Sequence, residues 1–415
     1  MPDSINSARV NGERLWSRLM QMATIGATRS GGCNRQALSD ADMAGRKLLK
    51  QWAEAAGCTV RVDAIGNLFA RRAGSEDCLA VVMTGSHLDT QPTGGKFDGV
   101  YGVLAGLEVI ESLNDHAVKT RHPVELCVWC NEEGSRFSMA MMGSAVWSGS
   151  YPLSKALGLT DRAGISVRDE LTRAGFPTHM EQRQAVKASF EAHIEQGPVL
   201  EQKAITIGVV TGVQHMSRHE VLIEGQEAHA GPTPMDMRRD PVRVLADLLP
   251  AMYAATAQHG PSARFTVGCI ETQPGSPNTV PGQLRFTVDI RHPDGAQYAA
   301  LKAAIGRLVK EALERHRLPG GMQCFWEAPG VTFDAACVSA VRSAAETLGF
   351  KAWDMVSGAG HDSCNVAAVA PTAMVFVPCA GGLSHNEAES AAPADLEAGA
   401  NVLLHAMLPM ALPHA

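Results

Sequence analysis

No stretch of this 415-residue chain is apolar for anything like the length of a membrane span, and its first residues, MPDSINSARVNGERLW, contain no apolar core of a secretory signal. Positive charge is not in excess either. Thirty-six Lys and Arg against 43 Asp and Glu leave a formal net charge of -7, which gives no electrostatic footprint for nucleic acid and no basic patch for a membrane surface. The ten cysteines lack the spacing of a disulfide framework, which fits a reducing cytoplasm, the expected location. The C-x-x-C formed by Cys127 and Cys130 has no second pair to complete a zinc knuckle. Inside the strand-like run Val124 to Cys130, its odd spacing sends the two thiols to opposite faces as packing residues. Internal repeats, low-complexity segments and long linkers are missing as well.

What remains is an ordinary globular composition, 45% hydrophobic and 19% charged, in a chain too long for one ordinary domain. Residues 6 to 23 carry a loose helical period, and Ser39 to Ala56 a firmer one that Ser39 can cap and Gly57 can stop. Short strands are expected near Thr59 to Asp63 and Asn67 to Arg72. Buried strands are expected at Leu79 to Met83, Pro123 to Cys130, Ala188 to Ile194, Ile205 to Val213 and Thr372 to Val377. Helical patterns run from Val100 to Leu113, from His361 and from Pro393. The middle third reads differently: strand-like Val221 to Glu224, Arg264 to Thr272 and Leu284 to Ile290 alternate with helical Pro241 to His259 and Gln297 to Arg317. Strand, helix, strand, strand, helix, strand is the order of an α+β sandwich. The fold class expected is α/β, a mostly parallel mixed sheet flanked by helices, with an inserted α+β sandwich.

The stretch GSHLDTQPTGGKFDGVYG, Gly85 to Gly102, holds His87, Asp89 and Asp98 between a buried strand and a helix. Ligands collect at the carboxyl ends of strands in open α/β sheets, and imidazole with carboxylate suits a divalent transition metal such as zinc. The plainer alternative is a turn whose polar residues cap the helix. Glu132 and Glu133 follow a second apolar strand, His193 closes a third, and His385 lies past a fourth. If these strands are parallel neighbours, all the groups reach one crevice. Five ligands exceed the tetrahedral need of one zinc but suit two metals sharing a carboxylate, leaving one carboxylate free for proton transfer.

These motifs, together with CNEEGSRF, HIEQGPVLE, GQEAHAGPTPMDMRRD, PGSPNTVPG, DIRHPD, SGAGHD and GGLSHNEAES, resemble the amidase, hydantoinase/carbamoylase family. That family includes N-carbamoyl-L-amino acid hydrolases, allantoate amidohydrolases and β-ureidopropionases, within the wider di-zinc aminoacylase and carboxypeptidase superfamily. The resemblance implies that Asp98 bridges two metals, His87 and His193 completing one site and Glu133 and His385 the other. It makes Glu132 the general base and places Asp89 behind His87, orienting its ring. It implies a catalytic domain of residues 1–213 and 325–415 and an inserted lid and dimerisation domain, residues 214–324. From that insert, His229 would stabilise an oxyanion and Arg291 would grip a substrate carboxylate bidentately. Asn278 and Gln196 would add neutral hydrogen bonds, and Gly360 would offer a backbone N–H at the start of a helix, with His361 beside it as a further contact.

The activity so implied is hydrolysis of the carbamoyl C–N bond of N-carbamoyl-L-amino acids by a homodimer holding two divalent ions per subunit. Zinc is the first choice, with manganese, cobalt or nickel as alternatives. Its partner is a small ureido acid, not nucleic acid or a membrane. Allantoate, ureidoglycolate or β-ureidopropionate hydrolysis uses the same parts. An aminoacylase or dipeptidase is disfavoured by His193 and Arg291, and a metal-binding protein without turnover by the intact Glu132.

Overall fold

A computed structural model describes residues 7–180 and 182–412. The start of the helical stretch expected from residue 6 lies outside them; the helix itself is Gly12–Ala23, with Asn11 accepting from the Arg14 amide as its cap. The chain divides into two compact units, one running to Gly212 and resuming at Thr332, the other Val213–Val331.

The first unit is built on a nine-stranded mixed sheet. Its strands are β1 (Thr59–Val62), β2 (Leu68–Arg72), β3 (Val81–His87), β4 (Val124–Trp129), β5 (Val186–Ile194), β6 (Ile207–Val213) and, later in the chain, β13 (Val331–Thr332), β14 (Ala352–Ser357) and β15 (Thr372–Val377). The order is β1-β2-β4-β3-β5-β15-β6-β13, with β14 on β6. The centre, β4-β3-β5-β15, is parallel throughout. These are the apolar runs of the sequence, and β3, β4 and β15 are buried along their whole length, as strands covered on both faces must be. On one face lie the helices Val100–Asp115 and Pro393–Ala411, packed on each other and on β3 and β5. On the other, Val81, Met83, Cys127 and Trp129 pack with Trp147 and Val366. Cys127 belongs to this cluster and Cys130, just past the end of β4, to a separate one with Leu38, Ile65 and Phe137, so both thiols are packing residues. All ten cysteines are free. Among the described residues, no helix is long and apolar enough to cross a membrane.

The loop after β3 is fastened by Arg35, whose side chain is 1% exposed. Its guanidinium donates to the carbonyls of Leu88 (2.8 Å), Ile25 (2.8 Å) and Met22 (3.1 Å), and its main chain exchanges hydrogen bonds with Thr90. Replacement by methionine fills similar space but removes the donor that ties the Leu88 carbonyl to those of Met22 and Ile25. Arg35→Met is therefore expected to lower the unfolding free energy by about 3 kcal/mol or more in a urea melt. A loss below about 1 kcal/mol would show that the clamp carries no weight.

The second unit follows the strand, helix, strand, strand, helix, strand order. β7 (His215–Glu224), β9 (Arg264–Gln273), β11 (Gln283–His292) and β12 (Gly320–Ala328) form an antiparallel sheet in the order β12-β7-β11-β9. The helices Pro241–Ala257 and Gly295–His316 cover one face, burying Val221, Phe286, Val288, Leu248 and Leu301 in a common core. A two-stranded ribbon, β8 (Ala228–His229) with β10 (Thr279–Val280), completes it.

Candidate metal centre

Because β4, β3, β5 and β15 are parallel neighbours, the residues at their carboxyl ends meet. His87 is the last residue of β3, and His193 stands just before the end of β5. Glu132 and Glu133 follow β4 past a turn at Asn131, and His385 lies in the loop after β15. Asn131, Gln196 and His385 have φ of 55°, 56° and 52°. Left-handed backbone costs a residue with a Cβ about 1–2 kcal/mol, and such strain gathers at functional sites.

Asp98 stands at the centre. Its Oδ1 is 3.2 Å from His193 Nε2 and 3.7 Å from His87 Nε2. Its Oδ2 is 3.4 Å from His385 Nε2, which is 3.2 Å from Glu133 Oε2. The donors thus form two trios, His87–Asp98–His193 and Asp98–Glu133–His385, in each of which the ligand atoms lie within 4.8 Å of one another. Gly99 makes room for the first: a Cβ there would sit 2.3 Å from His87 Nε2.

The hydrogen bonds assign the protons. His87 Nδ1 is 2.8 Å from the Asp89 carbonyl oxygen and His193 Nδ1 is 2.9 Å from that of Ile194. A carbonyl only accepts, so both rings carry a proton on Nδ1, which in the neutral imidazole leaves Nε2 bare and turned inward. The Gly99 amide, donating to His193 Nε2 at 3.1 Å, requires the same tautomer. Lone pairs therefore face carboxylate oxygens across the centre, which repels unless positive charge lies between. The field is strong. Burial lowers the His193 pKa, yet Asp98 beside it carries it up to about 9. Glu133 does the same to His385, again to about 9 against burial. Burial opposes the charge on Asp98, but His193, His87 and His385 hold it well below the usual carboxylate range. Three protein donors per ion, with Asp98 shared, are what a pair of catalytic divalent cations requires. The residues fit the group.

A third trio, Glu191, His193 and His361, competes poorly. Glu191 already accepts the hydroxyls of Ser86 (2.7 Å) and Ser363 (2.6 Å), and His361 Nε2 pairs with Ser357 Oγ at 2.9 Å.

Glu132 belongs to none of these groups, yet its Oε2 is 3.5 Å from His87 Nε2. Burial pushes its pKa well above the usual carboxylate range, and Asp362, Glu133, Asp89 and Asp98 add to this. Asp89 acts through two parts. Its carbonyl holds the His87 ring, while its carboxylate accepts the amides of Glu132 and Glu133, each at 3.2 Å. Gln196 points at the centre as well: Nε2 donates to Asp98 Oδ2 at 2.8 Å, and Oε1 is buried with no partner among the described residues. The helix expected from His361 begins at Ser363, because the chain before it stays in a loop. Gly360 therefore lies in that loop and does not open the helix. His361 packs edge-on against the His193 ring, centroids 4.7 Å apart.

His229, Asn278 and Arg291 lie in the second unit. His229 is exposed at the end of β8, accepting the Gly231 amide at Nδ1. Asn278, next to Thr279, the residue that pairs with His229, accepts the Ala230 amide on its carbonyl. Arg291 on β11 turns its fork to Asp289, with Nε 2.7 Å and Nη2 3.1 Å from the two carboxylate oxygens.

Four residues around the centre carry no distinguishing mark in the sequence. Gln91 donates to Glu133 Oε2 at 2.7 Å. Ser384 Oγ is 2.7 Å from Asp98 Oδ2, and Glu389 accepts the amides of Phe97 and Asp98. Asp362 is buried with one oxygen on Ser144 Oγ at 2.5 Å and the other without a partner among the described residues. All four stand inside the family motifs, but nothing in their type sets them apart from surface polar residues.

Residues 83–408 match the model of peptidase family M20/M25/M40. An N-carbamoyl-L-amino-acid amidohydrolase of Rhizobium meliloti is 47% identical over 405 residues, 96% of each chain. An allantoate amidohydrolase of Bacillus subtilis (strain 168) is 31% identical over 385 residues, 92% of this chain and 93% of that one. The crystal structure of an amidase of the hydantoinase/carbamoylase family from Burkholderia multivorans superposes with a TM-score of 0.93 at 50% identity, covering 99% of this chain and 100% of that chain. With its strand-end donors and this breadth of match, the chain belongs to peptidase family M20/M25/M40, among the hydantoinase/carbamoylase amidases.

Proposed function

We propose that the protein hydrolyses the carbamoyl C–N bond of N-carbamoyl-L-amino acids. The observation that carries this is the pair of donor trios sharing Asp98, with Glu132 beside them and in neither. Divalent ions held there supply Lewis-acid polarisation and lower the pKa of a coordinated water towards neutrality. Zinc is the ion we assign, since His, Asp and Glu suit it; manganese, cobalt and nickel accept the same donors.

Glu132 takes the proton of the attacking water as oxygen adds to the carbamoyl carbon. Its surroundings suit this role, because a buried carboxylate crowded by Asp362 and Glu133 is a stronger base than one in water. Glu132 then gives that proton to the departing nitrogen, and the C–N bond breaks. Cleavage of that one bond leaves a carbamic acid, which loses carbon dioxide as its remaining C–N bond breaks, so the final products are ammonia, carbon dioxide and the free amino acid. Gln196 orients Asp98, and its unpartnered Oε1 can accept from a ureido N–H. To His229 we assign donation to the oxyanion, to Arg291 the substrate carboxylate, and to Asn278 and the Gly360 amide neutral hydrogen bonds; the family resemblance supports these assignments. Arg291 already holds one carboxylate in bidentate fashion, that of Asp289, which is the geometry the role needs.

We further assign a homodimer through the second unit. Its edge strand β12 pairs with β7 alone and exposes Phe325 (58%). Beside it runs a groove of about 1020 Å³ lined by Tyr298, Val309, Leu313 and Met322. An exposed edge with apolar flanks is a surface natural proteins cover. Ten free thiols support a reducing, cytoplasmic location.

Allantoate amidohydrolase is the second reading, favoured by the Bacillus subtilis relative. The test is ammonia release by metal-stripped protein reloaded with zinc or manganese, over N-carbamoyl-L-amino acids, N-carbamoyl-β-alanine, ureidoglycolate and allantoate. Metal-dependent release with kcat/KM highest for an N-carbamoyl-L-amino acid is expected. A higher value for allantoate would move the assignment to the second reading, and no release from any of them would end both.

A further inference from the structure

We propose that Glu389 is a positioning residue that splints the Asp98 loop to the His385 loop and so sets the second cation position, Asp98–Glu133–His385. The inference rests on the two-cation reading above and adds to it a residue outside both trios.

The two loops are far apart in the chain and each carries a ligand of the same trio. Glu389 leaves the His385 loop, closed at its base by the Ala380 amide on the Ser390 carbonyl, and enters the Asp98 loop with 4% of its surface exposed. Its Oε1 accepts the amides of Phe97 (2.8 Å) and Asp98 (3.1 Å). Its Oε2 is 3.1 Å from Ser384 Oγ, the same hydroxyl that reaches Asp98 Oδ2 at 2.7 Å. One carboxylate therefore fixes the main chain of the bridging ligand, and through Ser384 it helps aim the ligand's second oxygen. The passage is tailored: a Cβ on Gly95 would lie 2.1 Å from Glu389 Oε1 and Cδ.

Glu389 stands in neither trio: its Oε1 is taken by two amides, and its Oε2 shares the single Ser384 hydroxyl proton with Asp98 Oδ2. Its importance lies in what it holds still. His385 is half exposed, on left-handed backbone, with its ring 3.4 Å from the oxygen that Ser384 steadies. The first trio has independent support, since β3 and β5 hold His87 and His193. Because Asp98 is common to both trios, loss of the splint should reach both cations but fall more heavily on the second, whose Asp98 Oδ2 is the oxygen Ser384 touches.

The experiment is titration of the metal-stripped, full-length protein with chelator-buffered zinc, comparing wild type, Glu389→Ala, Glu389→Gln and Gly95→Ala, with folding checked by circular dichroism. The glutamine oxygen can still accept both amides, so Glu389→Gln should bind two equivalents much as wild type does. Glu389→Ala should weaken the second equivalent about 10- to 100-fold, the usual cost of losing a group that orients ligands, and the first by clearly less. Gly95→Ala should do the same by pushing an intact Glu389 aside, and it serves if the alanine variant at 389 does not fold. Unchanged affinity for the second equivalent in either folded variant overturns the proposal. So does equal weakening of both equivalents without rescue by glutamine, which would mark a merely structural residue. A wild type that binds fewer than two equivalents is a different failure, because it removes the two-cation reading itself.

Discussion

Glu132→Gln should lower kcat by about 10²- to 10⁴-fold, the range spanned by general acid–base groups, while KM moves little and both metal equivalents stay bound. The split follows from where the side chain stands. Glutamine keeps the shape, and the Glu132 main chain is fixed independently by Asp89 Oδ1. Neither trio includes the residue, so ion binding does not depend on it. What the amide lacks is a basic oxygen beside the first trio, where the carboxylate now lies 3.5 Å from His87 Nε2. The carboxylate is also costly to keep, since burial and the charges of Asp362, Glu133, Asp89 and Asp98 all disfavour its ionised form. An unfavourable charge held in a site already rich in them points to a function that requires it. Turnover within tenfold of wild type, with two metals measured in the same sample, would remove Glu132 from the chemistry.

Asp98→Asn is expected to act on a different quantity. Asp98 is the one side chain common to both trios, with Oδ1 towards His87 and His193 and Oδ2 towards His385. Asparagine offers one neutral oxygen and turns an N–H₂ to the other side, which repels a cation. Metal analysis after gel filtration should find both equivalents reduced, and ammonia release should fall by about 10³-fold or more as several kcal/mol of Lewis-acid stabilisation is withdrawn. Added metal should restore little of it. A variant that retains both ions would show that Asp98 does not bridge them.

The site is readable in the sequence to the extent that strands announce themselves. The runs behind His87, Glu132, His193 and His385 are strongly apolar because both faces of β3, β4 and β15 are covered, and the pattern bounds Thr372–Val377 to the residue. Their adjacency is not readable from those runs. The order β4-β3-β5-β15 brings residues hundreds of positions apart to one edge, and only the fold decides that. In the second unit, β7 is legible only from Val221, because its first half, His215 to Glu220, is polar and reads as a loop until β11 and β12 pair with it. The short helix after His361 starts later than its pattern suggests for a similar reason: five residues have too little periodicity to fix a start.

The residues that steady the ligands are the least visible. Arg35 lies among polar loop residues and looks like a surface cation; three carbonyls from two segments, Met22 and Ile25 at one helix end and Leu88 after β3, make it a clamp. The family motif places Asp89 behind His87, but which of its groups touches the ring depends on the turn: the carbonyl takes the imidazole, and the carboxylate takes two amides of another loop. Arg291 shows the opposite case. Its pairing with Asp289 follows from strand alternation, since two residues apart on β11 means one face.

Anomalous diffraction from crystals of the metal-reloaded protein tests the central claim most directly. Two peaks per chain are expected about 3.5–4 Å apart, one among His87, Asp98 and His193 and the other among Asp98, Glu133 and His385. A single peak, or density seated at Glu191 and His361 instead, would contradict it.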